Sequence, residues 1–270
     1  MAGSTHPHGF APALVASVLD DALARRSDRP GPPVLGISAL QGTGKSTLAA
    51  QLVALAAARG LHAVALSLDD LYLDRDDRAR LAREVHPLLA TRGPPGTHDV
   101  ALGLEVLGAL RERRTVALPR FDKGHDRRVA HAAWPAVGGC DLVVFEGWCL
   151  GTPAEDPAAL ATPLNALERD DDRDGHWRRH CNTALARDYP PLWATTDHML
   201  HLAPPSFDVV AGWRWQQECA RDDDGPKMTR AQVERFVQHF ERVSRQALRT
   251  LPAIADRGIA LDAGRRPRSA

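Results

Sequence analysis

An apolar run, Val34-Leu-Gly-Ile-Ser-Ala39, leads into Leu40-Gln41-Gly42-Thr43-Gly44-Lys45-Ser46-Thr47 and then into the apolar positions of a helix. Strand, glycine-bearing turn, and helix opened by Lys-Ser is the order that a P-loop needs. Such a loop turns consecutive backbone N–H groups inward, and the helix N-terminus adds the positive end of its dipole. Phosphate oxygens then find a ready site, with Lys45 reaching the β- and γ-phosphates and the Ser46 hydroxyl ligating Mg²⁺. The segment from Gln41 to Thr47 is therefore the expected ATP site. One position departs from the pattern, because Ala39 stands where the first glycine is usual.

Of the 34 Lys plus Arg residues, only Lys45, Lys123 and Lys227 are lysine. Arginine serves nearly every routine charge, so a lysine kept against that bias marks a need for a compact point charge. Formal net charge is zero, and no global field favours nucleic acid or an anionic membrane. The apolar stretch 47–68 holds Gln51, Arg59, Gly60 and His62, and reads as helix, turn and strand, not as a membrane span. Asp20-Asp21 follow the apolar residues 9–18 and no basic segment precedes them, which argues against a signal peptide. Cys140, Cys149, Cys181 and Cys219 lack C-x-x-C spacing. A reducing cytoplasm is the expected compartment.

Residues 1–10 are expected to form a disordered tail, and residues 11–270 one domain. Helical spacing spans 11–26, 45–58, 76–86, 100–111, 208–221 and 229–249. Short apolar strands are expected at 62–68, 115–118, 142–145, 199–202 and 258–261. Residues 119–128 read as a charged loop and 160–197 as irregular. Strands alternating with helices predict an α/β fold, a three-layer α/β/α sandwich on a parallel central sheet.

Ligands of open α/β sheets sit beyond the carboxyl ends of the strands. Four polar groups fall at such ends: Lys45/Ser46, Asp69/Asp70, Asp122/Lys123 and Glu146. Glu146 is placed to order Mg²⁺ or its waters, or is a solvated strand-end acid. Asp69 sits where an acceptor hydroxyl would present its proton, or caps the next helix.

Ser67-Leu-Asp69-Asp70-Leu-Tyr72 resembles the Asp-x-Phe-Tyr segment of the uridine kinase, phosphoribulokinase and pantothenate kinase group. Three more strings narrow the resemblance: Arg92-Gly-Pro-Pro-Gly-Thr97-His98-Asp99, Pro119-Arg120-Phe121-Asp122-Lys123 and Phe145-Glu146-Gly147-Trp148. With the Ala39-first loop, they resemble the D-glycerate 3-kinase family from about Leu35 to Arg221. A weaker echo lies at Leu261-Asp-Ala-Gly-Arg265-Arg266. Phe121 stands where tyrosine is expected, and the run Asp170–His180 has no counterpart in the plant-type pattern. The resemblance implies a P-loop NTPase fold with ATP and Mg²⁺ as cofactors. It makes Asp69 the base toward the acceptor hydroxyl, with Ser46 and Asp69 or Glu146 near the metal. Arg92, His98, Asp99, Arg120, Asp122 and Lys123 fall on the acceptor side. Trp213-Arg214-Trp215-Gln216-Gln217-Glu218 resembles the lid helix, within about 205–230, whose arginine closes on the phosphates.

Arg214 and Arg221 are seven apart, so they share a helical face and could meet one polyanion. His176 and His180 lack a third metal ligand, and the Asp170–Asp174 run is expected on the surface. The leading expectation is an ATP-dependent small-molecule kinase acting on D-glycerate, partnered by neither nucleic acid nor membrane. A nucleoside or pantothenate-type kinase is the nearest alternative. A P-loop switch or chaperone without a small acceptor is the alternative of another class. Oligomeric state is not legible.

Overall fold

The computed structural model describes residues 9–25, 29–220 and 227–268. Helix α1 (Pro12–Ala24) opens on proline, where no backbone N–H is required. Strand β1 (Val34–Ala39) is buried along its whole length. Helix α2 (Lys45–Ala58) begins directly after the glycine turn, and Gly60, with φ of +75°, follows its end. Strand β2 (Ala63–Ser67) delivers Asp69 and Asp70 into a short 3₁₀ turn, Leu68–Leu71. The side chain of Asp74 accepts from Arg75 N at the start of α3 (Arg75–Glu84), and that of Asp99 caps α4 (Val100–Arg111).

The expected loop at 119–128 is a hairpin. Strand β3 (Val116–Ala117) precedes it, then β4 (Phe121–Asp122) pairs antiparallel with β5 (Arg127–Arg128). The Asp122 carboxylate closes the turn by accepting from the N–H groups of Gly124 and His125, at 3.0 and 3.1 Å. Strand β6 (Ala136–Val137) returns to pair with β3. Strand β7 (Leu142–Gly147) contains Glu146 inside its last turn of pleat, not beyond its end.

Residues 160–197 are helical in large part, contrary to the irregular segment expected. Helices α5 (Ala166–Asp171), α6 (His176–Arg187) and α7 (Pro190–Trp193) lie there. Asp172, expected on the surface, is buried. It accepts from the N–H groups of Trp177 and Arg178, and pairs with the Arg178 guanidinium at 2.9 Å. Charged residues turned inward and paired look, in sequence, like a solvated face. Strand β8 (His198–Ala203), helix α8 (Val209–Cys219), helix α9 (Arg230–Ile254) and strand β9 (Arg257–Ala260) complete the order. A capping box of Thr229 and Gln232 starts α9.

The five-stranded sheet runs β2-β7-β1-β8-β9, parallel throughout. Alternate residues face its two covering layers. Leu35 and Ile37 pack with Val15, Leu19, Leu48 and Leu52 of α1 and α2. Val34, Val143 and Phe145 pack on the other side with Val106, Leu107, Leu185 and Phe240. The result is the three-layer α/β/α fold of P-loop proteins. Phe10, assigned to the tail from sequence, instead joins the α1–α2 layer; it exchanges two hydrogen bonds with the Gln51 side chain, at 2.8 and 2.9 Å. No helix among the described residues is long and apolar enough to cross a membrane.

Three buried histidines tie stability to pH. Burial pushes His98, His201 and His239 from 6.5 down to about 4, with Asp69 partly opposing this at His98. Between those values the unfolded chain binds protons that the folded chain does not. Their contribution is complete above pH 6.5 and is lost as pH falls toward 4. Each is expected to cost roughly 1–2 kcal/mol of stability at about pH 5. Urea midpoints should drop between about pH 7 and 5, and His201→Gln should flatten part of that slope. A midpoint unchanged across this interval would remove the histidines from the account.

Candidate active site

The loop between β1 and α2 is shaped by Gly42 and Gly44, with φ of +80° and +96°. No side chain caps α2, so its first N–H groups are left for an anion. Thr43 is buried and its hydroxyl donates to the Leu40 carbonyl at 2.7 Å, fixing the turn. Thr47 lies half-buried in the first turn of α2. Both polar atoms of the Gln41 amide are buried without a hydrogen-bond partner. Because β1 and β7 are neighbours, Glu146 lies close to the start of α2. Ser46 Oγ donates to Glu146 Oε1 at 2.7 Å, and Lys45 Nζ stands 3.8 Å from Oε2. That second oxygen is buried and accepts no hydrogen bond.

Asp69 approaches the same space from β2. The Tyr72 hydroxyl donates to its Oδ1 at 2.7 Å, and Lys123 Nζ donates to its Oδ2 at 2.6 Å. Burial alone would raise this carboxyl, but Lys123, then Lys45, outweigh it and hold it well below the ordinary carboxylate range. Lys123 itself is raised by the Asp69 charge and the hydrogen bond to it. The hairpin that carries Lys123 is anchored by Asp70, which accepts from Phe121 N–H at 3.1 Å and from Arg120 at 3.4 Å. Arg92 pairs with Asp126 across the turn, donates to the Lys123 carbonyl at 3.2 Å, and lies over the Phe121 ring.

These groups share an open cavity of about 660 Å³. Gln41, Gly42, Lys45, Ser46, Asp69, Arg92, Lys123 and Arg214, all singled out in the sequence, line it. Asp99, Arg120 and Asp122, expected on the acceptor side, do not line it. Asp99 caps α4 and pairs with Arg128, Arg120 contacts Asp70, and Asp122 closes the hairpin turn. His98 also sits behind the wall; its ring packs on Tyr72 and its Nδ1 meets the Tyr189 hydroxyl at 2.6 Å. Arg221 lies outside the described residues.

Tyr72, Trp148, Gln217, Phe236 and Phe240 line the cavity without having been assigned to it. Tyr72, Trp148 and Gln217 stood inside strings already singled out. Phe236 and Phe240 are four apart in an amphipathic helix, which by itself signals only core. Arg265 was missed as a contributor. Its Nε donates to the Gly42 carbonyl at 2.6 Å, its Nη2 to Gln216 at 2.8 Å, and its guanidinium covers the Trp213 ring. Trp213 donates to the Ala263 carbonyl at 2.9 Å, and a Cβ placed on Gly42 would come within 2.6 Å of Trp213 Cβ. Together these contacts dock α8 on the P-loop.

No family model matches the chain. The uncharacterized kinase mug58 of Schizosaccharomyces pombe is 33% identical over 226 residues, 77% of this chain and 78% of that protein. The chloroplastic D-glycerate 3-kinase of Arabidopsis thaliana is 31% identical over 254 residues, 86% of this chain and 52% of that longer protein. A solved D-glycerate 3-kinase from Cryptococcus neoformans superposes with a TM-score of 0.77 at 25% identity, covering 96% of this chain and 99% of that one. The chain belongs to the D-glycerate 3-kinase family. Membership makes it a P-loop kinase, a phosphotransferase, in place of the switch or chaperone alternative.

Proposed function

We propose that the protein transfers the γ-phosphoryl group of ATP to the 3-hydroxyl of D-glycerate, giving 3-phosphoglycerate. The observation that supports this most is the shared cavity of the P-loop lysine, Lys45, and a strand-end carboxylate, Asp69, edged by Lys123 and Arg92. In this reading the uncapped start of α2 and the loop Gln41–Thr47 hold the triphosphate. Asp69 takes the acceptor proton, and the two cations at its edge recognise the acceptor carboxylate. Ser46 Oγ and Glu146 Oε2, which accepts no hydrogen bond, offer hard oxygen donors, which suit Mg²⁺ held by few protein groups and by phosphates. Such an ion, when bound, neutralises phosphate charge. His98, Asp99, Arg120 and Asp122 serve as supports of the wall and hairpin in place of direct ligands. Four unpaired cysteines, three of them buried, support a reducing, cytoplasmic setting.

A nucleoside-type acceptor has one observation in its favour, the rings of Trp148, Phe236 and Phe240 in the cavity lining. These rings are already engaged with one another and with Arg214. Trp148 and Phe240 pack edge to face at 5.1 Å, and the Arg214 guanidinium covers Phe236 at 5.8 Å. A small acid needs no stacking face. ADP release measured with D-glycerate, L-glycerate, glycerol, uridine and pantothenate tests the choice. D-glycerate is expected to exceed glycerol strongly in kcat/KM, because glycerol has no carboxylate for Lys123 and Arg92 to bind. Equal use of glycerol, or a preference for uridine, would overturn the assignment.

A further inference from the structure

Each oxygen of Asp69 already accepts a strong hydrogen bond. Tyr72 occupies one oxygen, and the Lys123 ammonium occupies the other at 2.6 Å. The second bond is charge-assisted, and it comes from a hairpin turn whose lysine side chain is 58% exposed. Lys123 can therefore swing away without opening the core. Paired to an ammonium, a carboxylate is a poor acceptor for a hydroxyl proton.

We infer that Lys123 caps Asp69 until the carboxylate of an acid acceptor draws it away, so that the acceptor's negative charge is needed for the chemical step as well as for binding. This rests on the kinase reading above, with Asp69 as base. Two cations oppose the effect of burial on Asp69: Lys123 first, then Lys45. ATP brings phosphates to Lys45, and an acid acceptor brings a carboxylate to Lys123. With both cations engaged elsewhere, burial dominates and Asp69 becomes more basic. The acceptor oxygen then bonds to the γ-phosphorus while its proton passes to Asp69. The bond between that phosphorus and the bridging oxygen breaks, and its electron pair leaves with ADP. Water and neutral alcohols bring no charge. They leave the cap in place, so acceptor-free ATP hydrolysis is held down by the same contact that selects the substrate.

A lysine that only binds the acceptor carboxylate would behave differently when removed. Its loss would raise KM for D-glycerate and leave neutral acceptors untouched. The cap predicts a gain. Lys123→Met is expected to raise both glycerol turnover and acceptor-free ADP release by about 3–10-fold over the wild type, the range for loss of an exposed charge-assisted bond. KM for D-glycerate rises in the same variant. Lys123→Arg keeps a cation in reach of Asp69 and is expected to return the glycerol and hydrolysis rates toward wild type. If both rates stay level or fall in Lys123→Met, the cap is wrong and Lys123 is a binding contact only. The hydrolysis rate needs no acceptor, so it reads the cap even if D-glycerate proves not to be phosphorylated. That second result would count against the acceptor assignment alone.

Discussion

Replacing Asp69 by Asn is expected to lower kcat by roughly 10²–10⁴-fold while ATP affinity stays near the wild-type value. The change keeps the size of the side chain and its ability to accept from the Tyr72 hydroxyl, so the wall of the cavity is retained. What it removes is the group that takes the acceptor proton. The triphosphate contacts proposed for Lys45 and the start of α2 lie on a different element, next to Glu146. Nucleotide titration and steady-state kinetics on the same preparation separate the two effects. A variant with wild-type kcat would mean that another group takes the proton. A variant that loses ATP binding as well would place Asp69 on the nucleotide side.

The parts of this fold with strong local signals were legible in the sequence. Helices α2 and α4 fall on the expected residues, 45–58 and 100–111, because a glycine turn and an Asp cap fix where each begins. The central strands were legible as short apolar runs, although Glu146 proved to belong to β7. Segment 160–197 was not legible. Its helices are held by charges that meet partners far away in sequence. Arg242 of α9 reaches Glu155 at 2.8 Å and Glu168 at 2.7 Å across the fold. Sequence spacing carries no sign of such pairings, so inward-facing charges resemble a solvated surface.

The site shows the same division. Lys45, Ser46, Asp69 and Glu146 converge because the strands of a parallel sheet end along one edge, and the hairpin anchored on Asp70 brings Lys123 to them. The acceptor-side strings divide in the structure between lining and frame. Asp99, Arg120 and Asp122 share motifs with residues that line the cavity, yet each is consumed in building the frame. Membership in a motif does not distinguish a ligand from the group that positions one. Arg265 stood in the string Leu261–Arg266 but without a role, because its hydrogen bond to Gly42 spans 223 residues and only the folded chain brings the two together.

That distant contact bears on the second large effect. Arg265 and Trp213 dock α8 against the P-loop, and Arg214 on the same helix lines the cavity. Its guanidinium contacts Gln217 and Glu218 at 3.4 Å each, long distances for hydrogen bonds, and lies over the Phe236 ring. A guanidinium placed this way is suited to meet charge that develops on a transferred phosphoryl group. Arg214→Ala is therefore expected to lower kcat on the order of 10³-fold, the low end for arginines that complete phosphoryl-transfer sites. Arg214→Lys should recover little, since an ammonium lacks the planar fork that grips two phosphate oxygens at once. The control is stability, because Glu218 is buried and Arg214 is its partner in α8. A kcat loss at an unchanged unfolding temperature assigns Arg214 to the reaction. A loss that tracks a lowered unfolding temperature would assign it to holding α8 in place, and unchanged kcat and KM would remove it from the site.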